Sequence, residues 1–150
     1  MAITSAICSS FKQELLQGKH NFASSGGDTF KIALFDSDAT LGAATTGYST
    51  SEEITNTSGT AYTAGGETLT RTGVGLTGTT AFTDFSDVTF SSASFTANAA
   101  LIYNTTTGTS TGTTNAVCAI AFGGDKTASN GTFKIEFPAN DATAAIIRLA

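Results

Sequence analysis

Short segments that alternate apolar and polar residues recur along this chain, and they constrain its fold more than any other feature. In residues 132–137, TFKIEF, every second residue is Phe or Ile and the residues between them are Thr, Lys and Glu. Residues 30–35, FKIALF, alternate in the same way before the turn-forming sequence Asp36-Ser37-Asp38. Alternation with a period of two places one set of side chains on one face of a strand. These segments therefore predict strands with one buried face.

The polar residues of the chain are mostly hydroxyl residues, which favours an antiparallel β protein. The 150 residues include 29 Thr and 15 Ser, only 13% are charged, and 40% are hydrophobic. Thr is β-branched and makes the outer face of a sheet soluble without charge. Disordered chains combine low hydrophobicity with high charge, and this chain does the opposite. We therefore expect a mainly β fold in a single domain covering residues 1–150.

One amphipathic helix is expected near the N-terminus. Apolar residues at every fourth position predict a stripe along one helix face. They are Ile3, Ile7, Phe11 and Leu15. The predicted helix covers about residues 4–17, with Thr4 or Ser5 as its N-cap and Gly18 at its end. A helix of about 14 residues is too short to persist alone in water, so it must dock either on its own sheet or on a neighbouring subunit.

The remaining chain, about residues 29–150, predicts a β-sandwich or jelly-roll-like antiparallel domain of eight or so strands. Residues 36–66 predict a long excursion with one or two short strands, and residues 67–76 and 80–90 each predict a strand. The apolar runs 99–103 and 116–122 predict a hairpin around a Thr- and Gly-rich loop at 104–114.

Further turns and a last strand are expected near the C-terminus. Gly123-Gly124-Asp125 and Asn130-Gly131 are typical of turns. Pro138 ends the strand that contains residues 132–137. Residues 144–149 predict a final strand that completes a sheet.

The charge balance excludes several partners. The formal net charge is −5, with seven basic residues scattered along the chain. Neutralising phosphates needs a cluster of basic residues, so neither nucleic acid nor an anionic membrane surface is an expected partner. No apolar run is long enough to span a bilayer. The N-terminus has no secretory signal pattern, so we expect synthesis in a cytoplasm, with Cys8 and Cys118 reduced and separate.

Catalytic and metal-binding groups are sparse. His20 is the single histidine, expected at the surface beyond the helix end, and no nucleophile motif accompanies it. The acid pairs Asp36/Asp38 and Asp84/Asp87 are compatible with calcium, but turn formation by Asp side chains is the favoured interpretation. We therefore expect no enzyme activity, no metal and no cofactor.

Several blocks of the sequence resemble small proteins encoded by tailed bacteriophages. The blocks are residues 11–22 (FKQELLQGKHNF), 30–35, 59–70 (GTAYTAGGETLT), 81–104 and 116–150. The resemblance spans nearly the whole chain in the same order. It implies a structural virion protein, and the role it suggests is a capsid cement or decoration protein. A tail fibre or baseplate component that contacts the host surface is the alternative.

This resemblance implies the major capsid protein as partner and the capsid surface of the virion as location, after synthesis in the bacterial host cytoplasm. A homo-oligomer is expected, with a trimer as the favoured form. The candidate interface is the stripe Ile3, Ile7, Phe11 and Leu15, together with the Thr-rich segments 40–66 and 104–114. Because charges are few, we expect the attachment to be mostly uncharged.

Overall fold

Two long paired strands organise the fold. The computed structural model describes residues 2–54, 61–106 and 115–150. In chain order the elements are β1 (Ala6–Ile7), α1 (Ser9–Leu16), β2 (Phe30–Phe35), β3 (Glu67–Leu69), β4 (Arg71–Thr77), β5 (Thr80–Phe85), β6 (Val88–Asn104), β7 (Asn115–Ile135) and β8 (Ile147–Leu149). The predicted mainly β class, with antiparallel sheets and one short helix near the N-terminus, is confirmed.

The larger sheet has five strands in the order β1-β7-β6-β2-β3, and every neighbouring pair is antiparallel. The hairpin predicted from the two apolar runs is confirmed, with Asn104 opposite Asn115 where β6 and β7 meet the loop between them. Residues 107–114 of that predicted loop lie outside the described residues. Residues 99–103 of β6 are buried on both faces of the sheet, which explains why this run is apolar throughout.

The smaller sheet has three strands in the order β4-β5-β8. The strand predicted over 67–76 is divided at Thr70, so β3 joins the larger sheet and β4 the smaller one. The strand predicted over 80–90 is likewise divided at residues 86–87. Links of only one or two residues connect β3 to β4 and β5 to β6. Because each link joins a strand of one sheet to a strand of the other, the two sheets lie close together.

The two sheets share one core, which makes the arrangement sandwich-like. Phe85 of β5 lies 5.6 Å from Phe30 of β2, measured between ring centroids, and Phe22 stacks on Phe30 at 4.5 Å. Ile147 of β8 is buried in the same cluster. Aromatic rings at these separations add stabilisation beyond the apolar area they bury.

The predicted helix is wrong in its bounds. The helix begins at Ser9 rather than residue 4, because Ala6 and Ile7 pair with Ala119 and Cys118 of β7. Ile3 forms a parallel bridge with Leu41. Cys8 is the N-cap residue, without a side-chain capping bond, so the predicted Thr4 or Ser5 cap is also wrong. In the described residues, no helix is long and apolar enough to cross a membrane.

The two turns predicted late in the chain are not turns. Gly123-Gly124-Asp125 and Asn130-Gly131 both lie inside β7. Gly123 and Asn130 have φ values of 74° and 47°, which indicates irregular positions within the strand rather than reversals of the chain. A long strand can accommodate such residues where a bulge interrupts its regular pairing.

The remaining predicted strands are found in shortened form or not at all. The final strand covers only Ile147–Leu149 and pairs with β5 at the edge of the smaller sheet. In the part of residues 36–66 that is described, only isolated bridges occur, at Leu41, Gly47 and Glu53. Residues 55–60 lie outside the described residues.

Candidate binding site

A large bulge bends β7 near its middle. One residue of β6, Asn98, lies opposite four residues of β7, 122–125. Gly123 and Gly124 take positive φ values of 74° and 134°, which glycine adopts without steric cost. The Asn98 Nδ2 donates a hydrogen bond of 2.8 Å to Asp125 Oδ1 across the bulge. The bend turns the second half of β7 relative to the first.

An apolar groove of about 880 Å³ lies along this bend. β1, both halves of β7 and the segment after β7 contribute to its walls. Its large apolar side chains are Ile7, Ile120, Phe122, Phe133, Ile135, Phe137 and Ile146. Several of these are only partly buried, including Ile7, Ile120, Phe122 and Phe137. Such a groove fits an apolar segment of another molecule.

Ion pairs centred on Lys134 lie beside the groove. Lys134 Nζ lies 2.9 Å from Asp87 Oδ2 and 2.8 Å from Glu136 Oε1. The backbone amide of Phe137 donates to Asp87 Oδ1 at 2.9 Å. The hydrogen bond from Lys134 holds the pKa of Asp87 below its ordinary value. These bonds tie the end of β7 to the start of β6 beside the groove.

The two thiols are buried and free. Cys118 borders the groove, and burial raises the pKa of its thiol far above the ordinary value. Burial also raises the pKa of Cys8 to about 11. The thiolate is the reactive form of cysteine, so both thiols are poor nucleophiles.

The predicted surface position of His20 is wrong, since its side chain is fully buried. His20 Nε2 lies 2.6 Å from Glu14 Oε2, and Asn104 Nδ2 lies 3.0 Å from His20 Nδ1. The same Asn104 amide donates to Asp28 Oδ2 at 2.8 Å. The ring also packs against Phe11 at 4.8 Å. This chain of polar groups connects α1, the segment after it and the end of β6.

A second polar cluster surrounds Glu53. Its carboxylate accepts hydrogen bonds from Tyr48 Oη at 2.6 Å, Tyr62 Oη at 2.5 Å and the Gly65 amide at 2.7 Å. Tyr62 Oη also accepts a bond of 3.0 Å from the Leu34 amide of β2. Burial and the bond to Glu53 raise the pKa of Tyr62 above its ordinary value. The cluster fastens the excursion to the larger sheet.

The two predicted acid pairs have different surroundings. Among the described residues, the carboxylates of Asp36, Asp38 and Glu52 lie within 4.8 Å of one another and form a group that could hold a cation. Asp36 Oδ1 accepts from the Asp38 amide at 2.8 Å, which is the turn predicted from sequence. Asp84 is fully buried and accepts from the amides of Phe85 and Ile146, whereas Asp87 binds Lys134. The second pair is therefore divided between two separate networks.

The candidate interface stripe does not form one surface. Phe11 is fully buried in the chain's own core. Ile3, Ile7 and Leu15 are partly buried and pack against that core. Ile7 lines the groove at the β7 bend, and Leu15 lines a different groove beside the smaller sheet. The docking of this segment on its own sheet, one of the two alternatives, is therefore the arrangement found.

The sequence interpretation missed the groove residues of β7. A glycine pair inside an apolar strand is a signal of a bulge, and Phe122 directly precedes Gly123-Gly124. Reading that pair as a turn separated Phe122 from Phe133, whose ring centroids lie 6.2 Å apart. Only the bend of β7 brings the two halves of this wall together.

Comparisons with known proteins give no match: no protein family model, no curated protein and no solved structure is similar to this chain.

Proposed function

We propose that this chain is a structural virion protein of a tailed bacteriophage, namely a capsid cement or decoration protein that binds and stabilises the shell of the major capsid protein. It acts without catalysis, on the outer surface of the head, after synthesis in the bacterial cytoplasm. The apolar groove at the β7 bend carries this proposal, and its partner is a segment of the capsid protein.

The groove supports binding by shape rather than by charge. Its walls are mostly Ile and Phe side chains that the chain itself leaves partly uncovered. Of the charged side chains at the rim, Lys134 binds Asp87 and Glu136, Asp125 accepts a hydrogen bond from Asn98, and Lys126 adds one further positive charge. A partner therefore gains mainly by covering apolar surface, which stabilises a complex in proportion to the area removed from water.

The remaining functional side chains have roles inside the fold. His20, Glu14 and Asp28 belong to one buried hydrogen-bonded chain, and Glu53 binds two tyrosines. Burial holds the two thiols in their unreactive protonated form. These arrangements favour a binding protein over an enzyme. The phage origin and the head location rest on the resemblance of the sequence blocks.

The location is tested on particles purified from the phage whose genome encodes this chain. We expect labelled antibody on the head and a copy number in the hundreds, measured on stained protein gels. Label on the tail alone, with tens of copies or fewer, would assign the chain to a tail fibre or baseplate instead.

The groove is tested by substitution. Ile120→Ser and Phe137→Ser change two side chains of the groove wall, and Ala64→Ser changes an exposed alanine outside it. We expect the first two variants to rebind at least about tenfold more weakly to heads that lack the protein, and Ala64→Ser to rebind like the original chain. Thermal melting of each variant shows whether it is folded. Equal rebinding by all folded variants would contradict the groove as the binding site.

A further inference from the structure

The largest exposed apolar side chains of the described residues gather at one end of the molecule. Leu16 is 92% exposed, Val74 65%, Leu76 71% and Leu149 58%. We call these four residues the end patch. Single apolar side chains scattered over a surface are normal, whereas apolar side chains gathered in one patch often mark a contact with another molecule, and the end patch is of the second kind.

Strand register places most of the end patch on one face of the smaller sheet. Leu76 lies opposite Ala81, and Ala81 lies opposite Leu149, so the three side chains share a face. Val74 is two residues from Leu76 and shares that face as well. The same face continues to Thr83 and Ile147, which are buried against the core. The sheet thus extends beyond the core and leaves its apolar end uncovered.

A groove of about 430 Å³ separates this face from the end of α1. Val74 and Leu149 line one side of the groove, and Leu15 and Gly18 line the other. Leu16 lies between Leu15 and Gly18 in sequence, and its side chain projects into solvent. The end patch therefore contains both a projecting leucine and an apolar groove beside it.

We propose that the end patch is the contact between two copies of this chain, related by a two-fold axis, with Leu16 of each copy seated in the groove of the other. A surface that offers both a projection and a matching groove is complementary to itself, as a two-fold contact requires. No other partner is needed to cover it. The contact gives a dimer rather than the trimer expected from the sequence.

The area of the end patch agrees with a small dimer interface. A fully exposed Leu or Val side chain carries roughly 60–120 Å² of apolar surface. The eight side chains of two end patches, about seven-tenths exposed on average, then bury roughly 350–700 Å². Apolar atoms make up about 57% of a typical interface, so the total is roughly 600–1,200 Å². This value reaches the lower end of specific interfaces and corresponds to a weak dimer.

The end patch offers an uncharged place of contact on a negatively charged molecule. Each copy carries a net charge of −5, so two copies repel each other at long range. The four side chains of the end patch are uncharged, and the basic side chain next to Leu149, Arg148, donates a hydrogen bond to the Thr143 carbonyl of its own chain. The end patch thus lets two copies meet without placing carboxylates opposite each other.

Sedimentation velocity of the full chain, at concentrations from about 1 to about 500 µM that span the dissociation constant of a weak dimer, tests the proposal. We expect a monomer at the low end and a dimer at the high end. Leu16→Glu and Val74→Lys each place a charge in the contact and should weaken the dimer at least about tenfold. Ser51→Lys, at an exposed position of the excursion between β2 and β3, is the matched control and should dimerise like the original chain.

Mixing the variants tests which residues meet. Leu16 of one copy lies against Val74 of the other, so Leu16→Glu mixed with Val74→Lys pairs opposite charges and should restore a heterodimer. Melting curves of the separate variants establish that each is folded. A monomer at every concentration, a trimer, or a dimer that only Val74→Lys weakens would each overturn the proposal; the last result would indicate pairing of the free edge of β4. None of these results depends on capsid binding, because the end patch and the groove at the β7 bend share no residue.

Discussion

At the scale of single residues, the polar side chains of this protein mainly fasten loops to sheets. Glu53 binds two tyrosine hydroxyls and one backbone amide, and Tyr103 Oη donates to the Gly65 carbonyl at 2.6 Å. Tyr48 stacks on Tyr103 with ring centroids 4.6 Å apart. Because these groups are bonded in the fold, the protonation of the tyrosines is linked to stability.

We expect the free energy of unfolding to fall at alkaline pH. Burial raises the pKa of Cys8 from 9.0 to about 11 and that of Tyr103 from 10.0 to about 12. The unfolded chain therefore releases these protons first, and stability that is present below pH 9 is lost as the pH rises. The loss should begin near pH 9 and become steeper above pH 10, where each such tyrosine contributes about 1.4 kcal/mol per pH unit.

Urea unfolding between pH 7 and pH 11.5 measures this dependence. Tyr103→Phe removes one of the titrating hydroxyls, so its unfolding free energy should decline less steeply above pH 10 than that of the original chain. Between pH 7 and pH 8.5 the two curves should run parallel. A stability that stays constant up to pH 11 would mean that these groups are not buried in the folded chain.

At the scale of secondary-structure elements, β8 closes one side of the smaller sheet. It pairs with residues 81–83 of β5, and its Ile147 is buried in the shared core. Just before β8, the Ile146 amide donates to the buried carboxylate of Asp84 at 3.0 Å. This short strand therefore supplies hydrogen-bond partners to the edge of β5, and the residue before it supplies one to the buried carboxylate of Asp84.

Deleting residues 144–150 should cause aggregation. The deletion exposes the edge of β5, which then offers unpaired amides and carbonyls to other chains, and it removes a hydrogen bond from Asp84. Light scattering during expression and refolding measures the effect. Leu149→Ser keeps the pairing and changes only an exposed side chain, so it should remain soluble. A deleted chain that stays soluble and melts cooperatively would show that β8 is dispensable.

The sequence predicted those elements whose local pattern agrees with their tertiary surroundings. Residues 132–135 alternate because one face is buried, and the apolar runs 99–103 and 116–119 are central in the larger sheet. The helix stripe was misleading because β7 pairs with Ala6 and Ile7, and this pairing overrides a helical period. Gly123-Gly124 has the composition of a turn, but β6 continues opposite it and keeps the chain in the sheet.

The candidate sites were less accessible to sequence reasoning because they depend on distant segments. The groove at the β7 bend joins β1 to residues separated from it by more than a hundred positions. The network of His20 likewise depends on Asn104, which approaches only after β6 is placed. A period or a motif within one segment carries no information about such contacts. Leu76 and Leu149 were visible as apolar residues, but their exposure follows from the extent of the smaller sheet beyond the core.

At the scale of the whole molecule, the two proposed contacts lie on separate surfaces and cooperate. The groove at the β7 bend would bind a capsid segment, and the end patch would join two copies. A dimer then carries two grooves and can bridge neighbouring capsid subunits. Two linked contacts retain a protein far more strongly than one, even when each is weak. This arrangement suits a chain with few charges, since neither contact relies on ion pairs.

Retention of the protein on purified heads at high salt tests the central claim most directly. Exposed ion pairs weaken as the Debye length falls to about 3 Å at 1 M salt, whereas apolar contacts persist. We therefore expect heads washed in 1 M sodium chloride to keep the same copy number as heads washed in about 0.1 M, at which the Debye length is about 10 Å. Release of most copies into the 1 M wash would contradict an uncharged attachment to the capsid.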